Sequence, residues 1–218
     1  MPLAIAFDMD GVIIDSQPLH YEIDIAVLKT CNYPATLETV TPYTGQSNPD
    51  RWPKYKQTLG LSQSVDELIN LQTQYQTEIF TSSNLPPIEG IPALLQFLNN
   101  QNIPCAVASS SSHELIELVL KKCKIEKYFA HLVSGEEVKH GKPAPDIYIK
   151  AAKILGQPPH NCIAIEDSPI GMQAAKNAGF TCIGYKNEGT HGQVFTHADY
   201  VVTHYSQCHE IIEQLKNK

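Results

Sequence analysis

The chain has 218 residues, enough for one large domain or two small ones and for a substantial buried core. Its formal charge is −7 with no clustered basic stretch, which argues against nucleic acid as a partner. No apolar run reaches the ~18 residues of a membrane span, and Asp8 interrupts the first apolar run, so that run cannot be the core of a signal peptide.

Residues 3–7 form a short apolar run suited to one buried strand, and it ends abruptly in Asp8, Asp10 and Gly11. Buried carboxylates are costly unless paired or bound to metal. In an open α/β sheet the carboxyl end of a strand is where ligands bind. Asp8 and Asp10 are therefore candidate site residues, set against the plainer reading of an acidic turn at the start of a helix. Pro18 suits a first helical turn, and Leu19, Ile23, Ala26 and Val27 follow helical spacing. Between Tyr33 and Gly60, four prolines (Pro34, Pro42, Pro49 and Pro53) predict short broken pieces. Ser64 and Glu67 have the capping-box pattern, followed by an apolar stripe at Val65, Leu68, Ile69, Tyr75 and Ile79. Residues 16–85 thus read as helical without a strand, and Pro86-Pro87 marks a change of character.

From Gly90 onward, strands and helices alternate. A helix opens at Pro92, and a strand over 103–108 ends at Ser109. A helix with Ser111 and Glu114 as its capping box comes next, then a minimal strand at Leu132-Val133. Lys142 lies in a Gly/Pro-rich loop before a helix that stops at Gly156. A strand over 162–165 ends in Glu166-Asp167. Ser168-Pro169 opens another helix, which stops at Gly179, and strands at 181–184 and 200–202 precede a last helix carrying Ile211, Ile212 and Leu215. The fold class is α/β: a Rossmann-like parallel sheet core with helices on both faces, residues 1–15 and 87–218, and an inserted α-helical domain, residues 16–86, hinged near 15 and 86. A parallel sheet would gather Asp8, Asp10, Ser109, Lys142, Glu166 and Asp167 along one edge. Carboxylates outnumber the single ammonium there, which favours a hard divalent cation such as Mg²⁺ and points to phosphoryl transfer. The six cysteines show no metal-binding spacing. Cys105, Cys162 and Cys182 read as small buried hydrophobes in a reducing compartment, with the cytoplasm as the default.

With these motifs in order, the sequence resembles the haloacid dehalogenase-like hydrolase superfamily over nearly its whole length. The motifs are Asp8-Met9-Asp10-Gly11, Ser109 after Val107-Ala108, Lys142 in Gly141-Lys-Pro-Ala-Pro-Asp146, and Glu166-Asp167-Ser168 with Gly171. It looks most like the β-phosphoglucomutase and sugar-phosphate phosphatase branch, in which a helical cap follows the first motif. The resemblance implies that Asp8 is the nucleophile and forms an aspartyl-phosphate, and that Asp10 is the acid and then the base. It implies Mg²⁺ held by Asp8, the backbone carbonyl of Asp10 and Asp167, with Glu166 bound directly or through water. Ser109, Ser110 and Lys142 would bind the substrate phosphoryl group.

Hydrolysis is favoured over mutase chemistry. The branch's mutases place an arginine directly after Gly-x-Ser in the cap, where this chain has Gly45-Gln46-Ser47-Asn48, and its single arginine is Arg51. Residues 64–80 also contain no Lys or Arg. His20, Gln46 and Arg51 are candidate cap residues toward substrate, His20 weighed evenly against an ordinary helix histidine. A closing cap favours a small phosphorylated metabolite, such as a sugar or polyol phosphate, acted on by a monomer. A β-phosphoglucomutase-type mutase is the alternative reading. A receiver-like phospho-switch is more remote, because receivers carry their acidic pair first and have no insert.

Overall fold

Every side chain of the first strand is buried, and the sheet is built outward from it. The computed structural model describes residues 3–44, 48–187 and 194–217. The chain divides into two compact units, one of residues 1–15 and 85–218 and the other of residues 16–84.

In the first unit, six strands form one parallel sheet: β1 (Ala4–Phe7), β2 (Cys105–Ser109), β3 (Phe129–Ser134), β4 (Cys162–Glu166), β5 (Thr181–Tyr185) and β6 (Tyr200–Val202). Their order is β3-β2-β1-β4-β5-β6. The strand that comes first in sequence is therefore flanked by β2 on one side and β4 on the other. Phe7 is in register with Val107 and with Ile165, so the next residues of all three strands emerge together at the carboxyl edge. Strand order reverses at this point, which opens a crevice in a doubly wound sheet.

Side-chain alternation along the strands sorts the two faces. Ala4, Ala6, Ala106, Ala108 and Ala164 turn toward one face, where they pack with Ala151 and Ala152 of α7 (Asp146–Ile154) and Ala174 and Ala175 of α8 (Pro169–Asn177). Alanine on both sides lets helix and sheet approach closely with little loss of side-chain entropy. The remaining helices of this unit are α5 (Ile91–Asn100), α6 (His113–Cys123) and α9 (Ser206–Lys216).

The second unit contains α1 (Gln17–Thr30), α2 (Leu37–Val40), α3 (Asn48–Leu59) and α4 (Val65–Ser82). Its core gathers Val27, Leu28, Val40, Trp52, Tyr55, Leu61 and Leu68. The Ser64–Glu67 capping box forms: Ser64 N–H donates to Glu67 at 2.7 Å, and Glu67 N–H donates to the Ser64 hydroxyl at 3.2 Å.

Three local expectations are corrected. Pro53 does not break the chain, since α3 runs through it. An interior proline costs about 3 kcal/mol, but Trp52 and Tyr55 beside it are completely buried, and each such burial contributes roughly 1.5–3 kcal/mol. Helix α6 is capped by Ser112 rather than Ser111: the Ser112 hydroxyl accepts from Leu115 N–H. Strand β3 extends over six residues rather than two, since its partner β2 continues the ladder to Ser109↔Ser134. The first unit resumes at Leu85. Leu85 is buried, and its carbonyl accepts from Cys123 Sγ at 3.2 Å. All six cysteines are free thiols, five of them buried. Among the described residues, no helix is long and apolar enough to cross a membrane.

The alanine face carries a stability prediction. Ala164→Leu should overpack the layer between β4 and α8 and cost about 1–3 kcal/mol, read as a lowered midpoint in denaturant. An unchanged midpoint would mean that the face has slack the packing does not show.

Candidate active site

The carboxyl edge of β1, β2 and β4 is where the chain concentrates its buried charge. Asp8 follows β1 directly and continues its ladder, donating its N–H to the Ile165 carbonyl at 3.0 Å. Gly11 closes the turn after it at φ +74°, and a Cβ there would lie 2.0 Å from an Asp167 carboxylate oxygen. Only glycine meets both conditions without displacing Asp167.

Lys142 is 5% exposed at its side chain and bonds across this edge. Its ammonium donates to Asp8 Oδ1 at 2.7 Å, to Glu166 Oε1 at 2.6 Å and to the Ala108 carbonyl at 3.1 Å. All three of its protons thus have acceptors. Burial alone would lower the lysine's pKa, but the Asp8 and Glu166 carboxylates outweigh this and raise it, so Lys142 stays charged.

Glu166 is completely buried and held by four donors. Oε1 accepts from Lys142 and from the Tyr148 hydroxyl at 2.8 Å. Oε2 accepts from Ser168 N–H at 3.3 Å and from the Ser168 hydroxyl at 3.1 Å. The Ser168 hydroxyl in turn accepts from Gly171 N–H at 3.1 Å and so caps α8 while it orients the glutamate. A Cβ on Gly171 would lie 2.0 Å from Glu166 Oε1, so the helix start is fitted to this carboxylate.

Asp8, Glu166 and Asp167 each offer a carboxylate oxygen within 4.8 Å of the others. Burial pushes the Asp8 carboxyl up to about 7, with Glu166 and Asp10 adding to the effect and Lys142 opposing it. Burial and the charges of Glu166, Asp8 and Asp10 push Asp167 up to about 9. One ammonium does not balance this group. The donors are all hard oxygens crowded into low dielectric, which fits a small divalent cation.

The sequence-predicted core residues are brought together here. Asp10 stands beside the cluster rather than in it, and its Oδ2 accepts from the Ser111 hydroxyl at 3.2 Å. Ser109 is fully buried, and its hydroxyl accepts from Ser111 N–H at 3.1 Å, so it caps no helix. Ser110 is exposed at the same strand end.

Of the candidates in the helical unit, Gln46 lies outside the described residues. His20 is half-buried on α1, its ring 6.0 Å from that of Phe80. Arg51 is 8% exposed. It lies 3.2 Å from Asp24, donates to Asn48 Oδ1 at 2.7 Å and stacks over Trp52 at 5.8 Å. Tyr55 donates to the other Asp24 oxygen at 3.0 Å. The single arginine thus neutralises a buried aspartate of its own unit. Tyr148 and Ser111 were not foreseen. The first sits in the apolar stripe of α7, and the second resembled a helix cap. The only clue was a phenol hydroxyl in an aliphatic stripe, which needs a partner.

Comparison with known proteins places the chain in a family. A family model described as haloacid dehalogenase-like hydrolase matches residues 5–185. A phosphorylated carbohydrates phosphatase from Thermotoga maritima is 31% identical over 176 residues, covering 81% of this chain and 81% of its own. A β-phosphoglucomutase from Bacillus subtilis is 32% identical over 214 residues, covering 91% of this chain and 88% of its own. Among solved structures, β-phosphoglucomutase from Clostridium difficile shares 25% identity and a TM-score of 0.78, over 100% of this chain and 98% of its own.

The raised acids give a pH dependence. A carboxyl with a higher pKa in the folded than in the unfolded chain holds its proton more tightly when folded. Stability therefore falls as pH rises from the ordinary carboxylate range through the folded-state values. In chelator, the melting temperature should fall from about pH 4, the ordinary carboxylate range, to about pH 9, more steeply below about 7, where both Asp8 and Asp167 contribute, than above it, where Asp167 alone does. Asp167→Asn should flatten that fall, and an unchanged slope would remove Asp167 from the repulsive cluster.

Proposed function

This chain belongs to the haloacid dehalogenase-like hydrolase family, and on that premise we propose that it is a Mg²⁺-dependent phosphatase of a small phosphorylated metabolite, a sugar or polyol phosphate. The observation that carries the reading is the buried Asp8 carboxylate, held by Lys142 at 2.7 Å at the head of the carboxylate cluster. A nucleophile needs this fixed direction, and an ammonium beside it offsets charge gathering on a phosphoryl group.

Asp8 attacks phosphorus, and the bond from phosphorus to the substrate oxygen breaks. Asp10 gives its proton to that leaving oxygen. An aspartyl-phosphate remains on Asp8. Asp10, now a carboxylate, takes a proton from water, whose oxygen attacks the same phosphorus. The bond to Asp8 breaks, and phosphate leaves. Lys142, Ser109 and Ser110 bind the phosphoryl oxygens, while Glu166 holds Lys142 in place. Mg²⁺ would be held by Asp8, Asp167 and the Asp10 carbonyl, with Glu166 beside them, and would neutralise charge on the phosphoryl oxygens.

The mutase reading has a relative behind it, the Bacillus subtilis β-phosphoglucomutase. Against it stands Arg51, which a second phosphate would need and which Asp24 already occupies. The Thermotoga maritima relative, named for phosphorylated carbohydrates, supports the sugar-phosphate class. The protein acts as a monomer in the cytoplasm, where its free thiols stay reduced, and takes a small-molecule substrate, with neither nucleic acid nor membrane as partner.

The direct test is phosphate release from hexose, pentose and polyol phosphates, with Mg²⁺ and with chelator. Conversion of β-glucose 1-phosphate to glucose 6-phosphate, primed with the bisphosphate, is followed alongside. Release that requires Mg²⁺, without isomerisation, is expected, and isomerisation outpacing release would establish the mutase. Asp8→Asn should abolish turnover with the fold intact. Asp10→Asn should slow turnover by about 10²–10⁴-fold, affecting both formation and breakdown of the phosphoenzyme. Millimolar Mg²⁺ should raise the melting temperature of the wild type, since it binds only the folded cluster. No shift would count against the metal assignment.

A further inference from the structure

The loop that carries Asp10 is short and tightly folded. Ile13 N–H donates to the Met9 carbonyl at 2.8 Å, and Gly11 N–H donates to the Ile14 carbonyl at 2.8 Å. Three of the four intervening carbonyls, those of Gly11, Val12 and Ile13, are each taken by a distant part of the same unit. Asn187 Nδ2, just after β5, donates to the Gly11 carbonyl at 2.7 Å. The Tyr205 hydroxyl, at the start of α9, donates to the Val12 carbonyl at 2.6 Å. Ile88 N–H donates to the Ile13 carbonyl at 2.8 Å.

We infer that Tyr205 and Asn187 are positioning residues for Asp10: they clasp two successive carbonyls just after it and fix the loop from which it delivers its proton. This rests on the phosphatase reading above. Gly11 is in the left-handed region and has no side chain to anchor the turn. The loop's geometry is therefore set by what holds its carbonyls. Proton transfer to a leaving oxygen tolerates displacements well below an ångström, and Asp10 is one or two residues from both clasped carbonyls. Tyr205 is suited to the task. It is 1% exposed, and its ring stacks on Tyr185 at 4.3 Å, which fixes the direction of its hydroxyl. Burial holds its phenol well above the usual tyrosine range, so it remains a donor throughout neutral pH.

A residue that merely fills the core would affect every substrate alike. A residue that positions the acid should matter most where the leaving group needs a proton. The experiment compares kcat/KM of wild type, Tyr205→Phe and Asn187→Ala on the best sugar phosphate with kcat/KM on p-nitrophenyl phosphate and acetyl phosphate. The last two have leaving groups that depart with little protonation. Because kcat/KM covers steps only through departure of the leaving group, the hydrolysis of phosphoenzyme common to all substrates does not enter. Tyr205→Phe keeps the stacked ring. Asn187, half-exposed, gives a second variant with little cost to folding. The expected result is a loss of about tenfold or more on the sugar phosphate and under about threefold on the activated phosphates, with melting temperatures near that of wild type. Equal losses on both substrate types, or no loss in either variant, would overturn the inference. A wild type inactive on every phosphate tested would overturn the phosphatase reading, and this inference with it.

Discussion

The structure depends on how negative charge is carried inside a sheet edge. Asp8, Glu166 and Asp167 meet where three strands end, Asp8 and Glu166 buried and Asp167 partly so, which leaves little water to screen them. Lys142 is the protein's own answer, and it is placed with unusual completeness, giving each proton a named acceptor. Much of the surrounding sequence serves that arrangement. Ser168 both caps α8 and holds Glu166, Tyr148 supplies a second donor to the same carboxylate, and two glycines leave room for the acids. One ammonium leaves this group of carboxylates with a net negative charge.

The helical unit solves a similar problem in a different way. Asp24 is buried among apolar side chains and is compensated from within the unit by Arg51 and Tyr55. Breaking such a pair leaves an uncompensated buried charge. Arg51 thus makes its contacts with Asp24, Asn48 and Trp52 inside the helical unit. Its place three residues beyond Asn48, whose side chain it also bonds, ties the start of α3 to α1.

The parts of the site legible from sequence were those where charge interrupts an apolar run. Asp8, Asp10, Lys142 and Glu166-Asp167 stand out because packing gives no reason for them. Tyr148, Tyr205 and Asn187 do not stand out, because a tyrosine in an apolar stripe reads as core and an asparagine in a loop reads as a turn. Their roles arise from partners 18 to 193 residues away, which no local pattern encodes. Pro53 misled for the same reason, since a local helix breaker was outweighed by the burial of its neighbours Trp52 and Tyr55. Ser111 and Ser112 are both plausible caps by residue type. Ser111 is drawn instead to Asp10 and Ser109, which leaves the helix start to its neighbour.

The position of β1 has a consequence for how the molecule is assembled. It precedes the other five strands of the sheet in the chain, yet it lies in the middle of the sheet. Both its neighbours, β2 at Cys105–Ser109 and β4 at Cys162–Glu166, come from the second half or the end of the first. Its ladders therefore close loops of roughly a hundred residues or more, and long-range pairing of parallel strands is slow. Until β2 and β4 arrive, Ala4–Phe7 is an unpaired apolar strand. Asp8 is thus made well before the strands that fix its place, β2 and β4, and it is set at the sheet edge only when both have paired with β1.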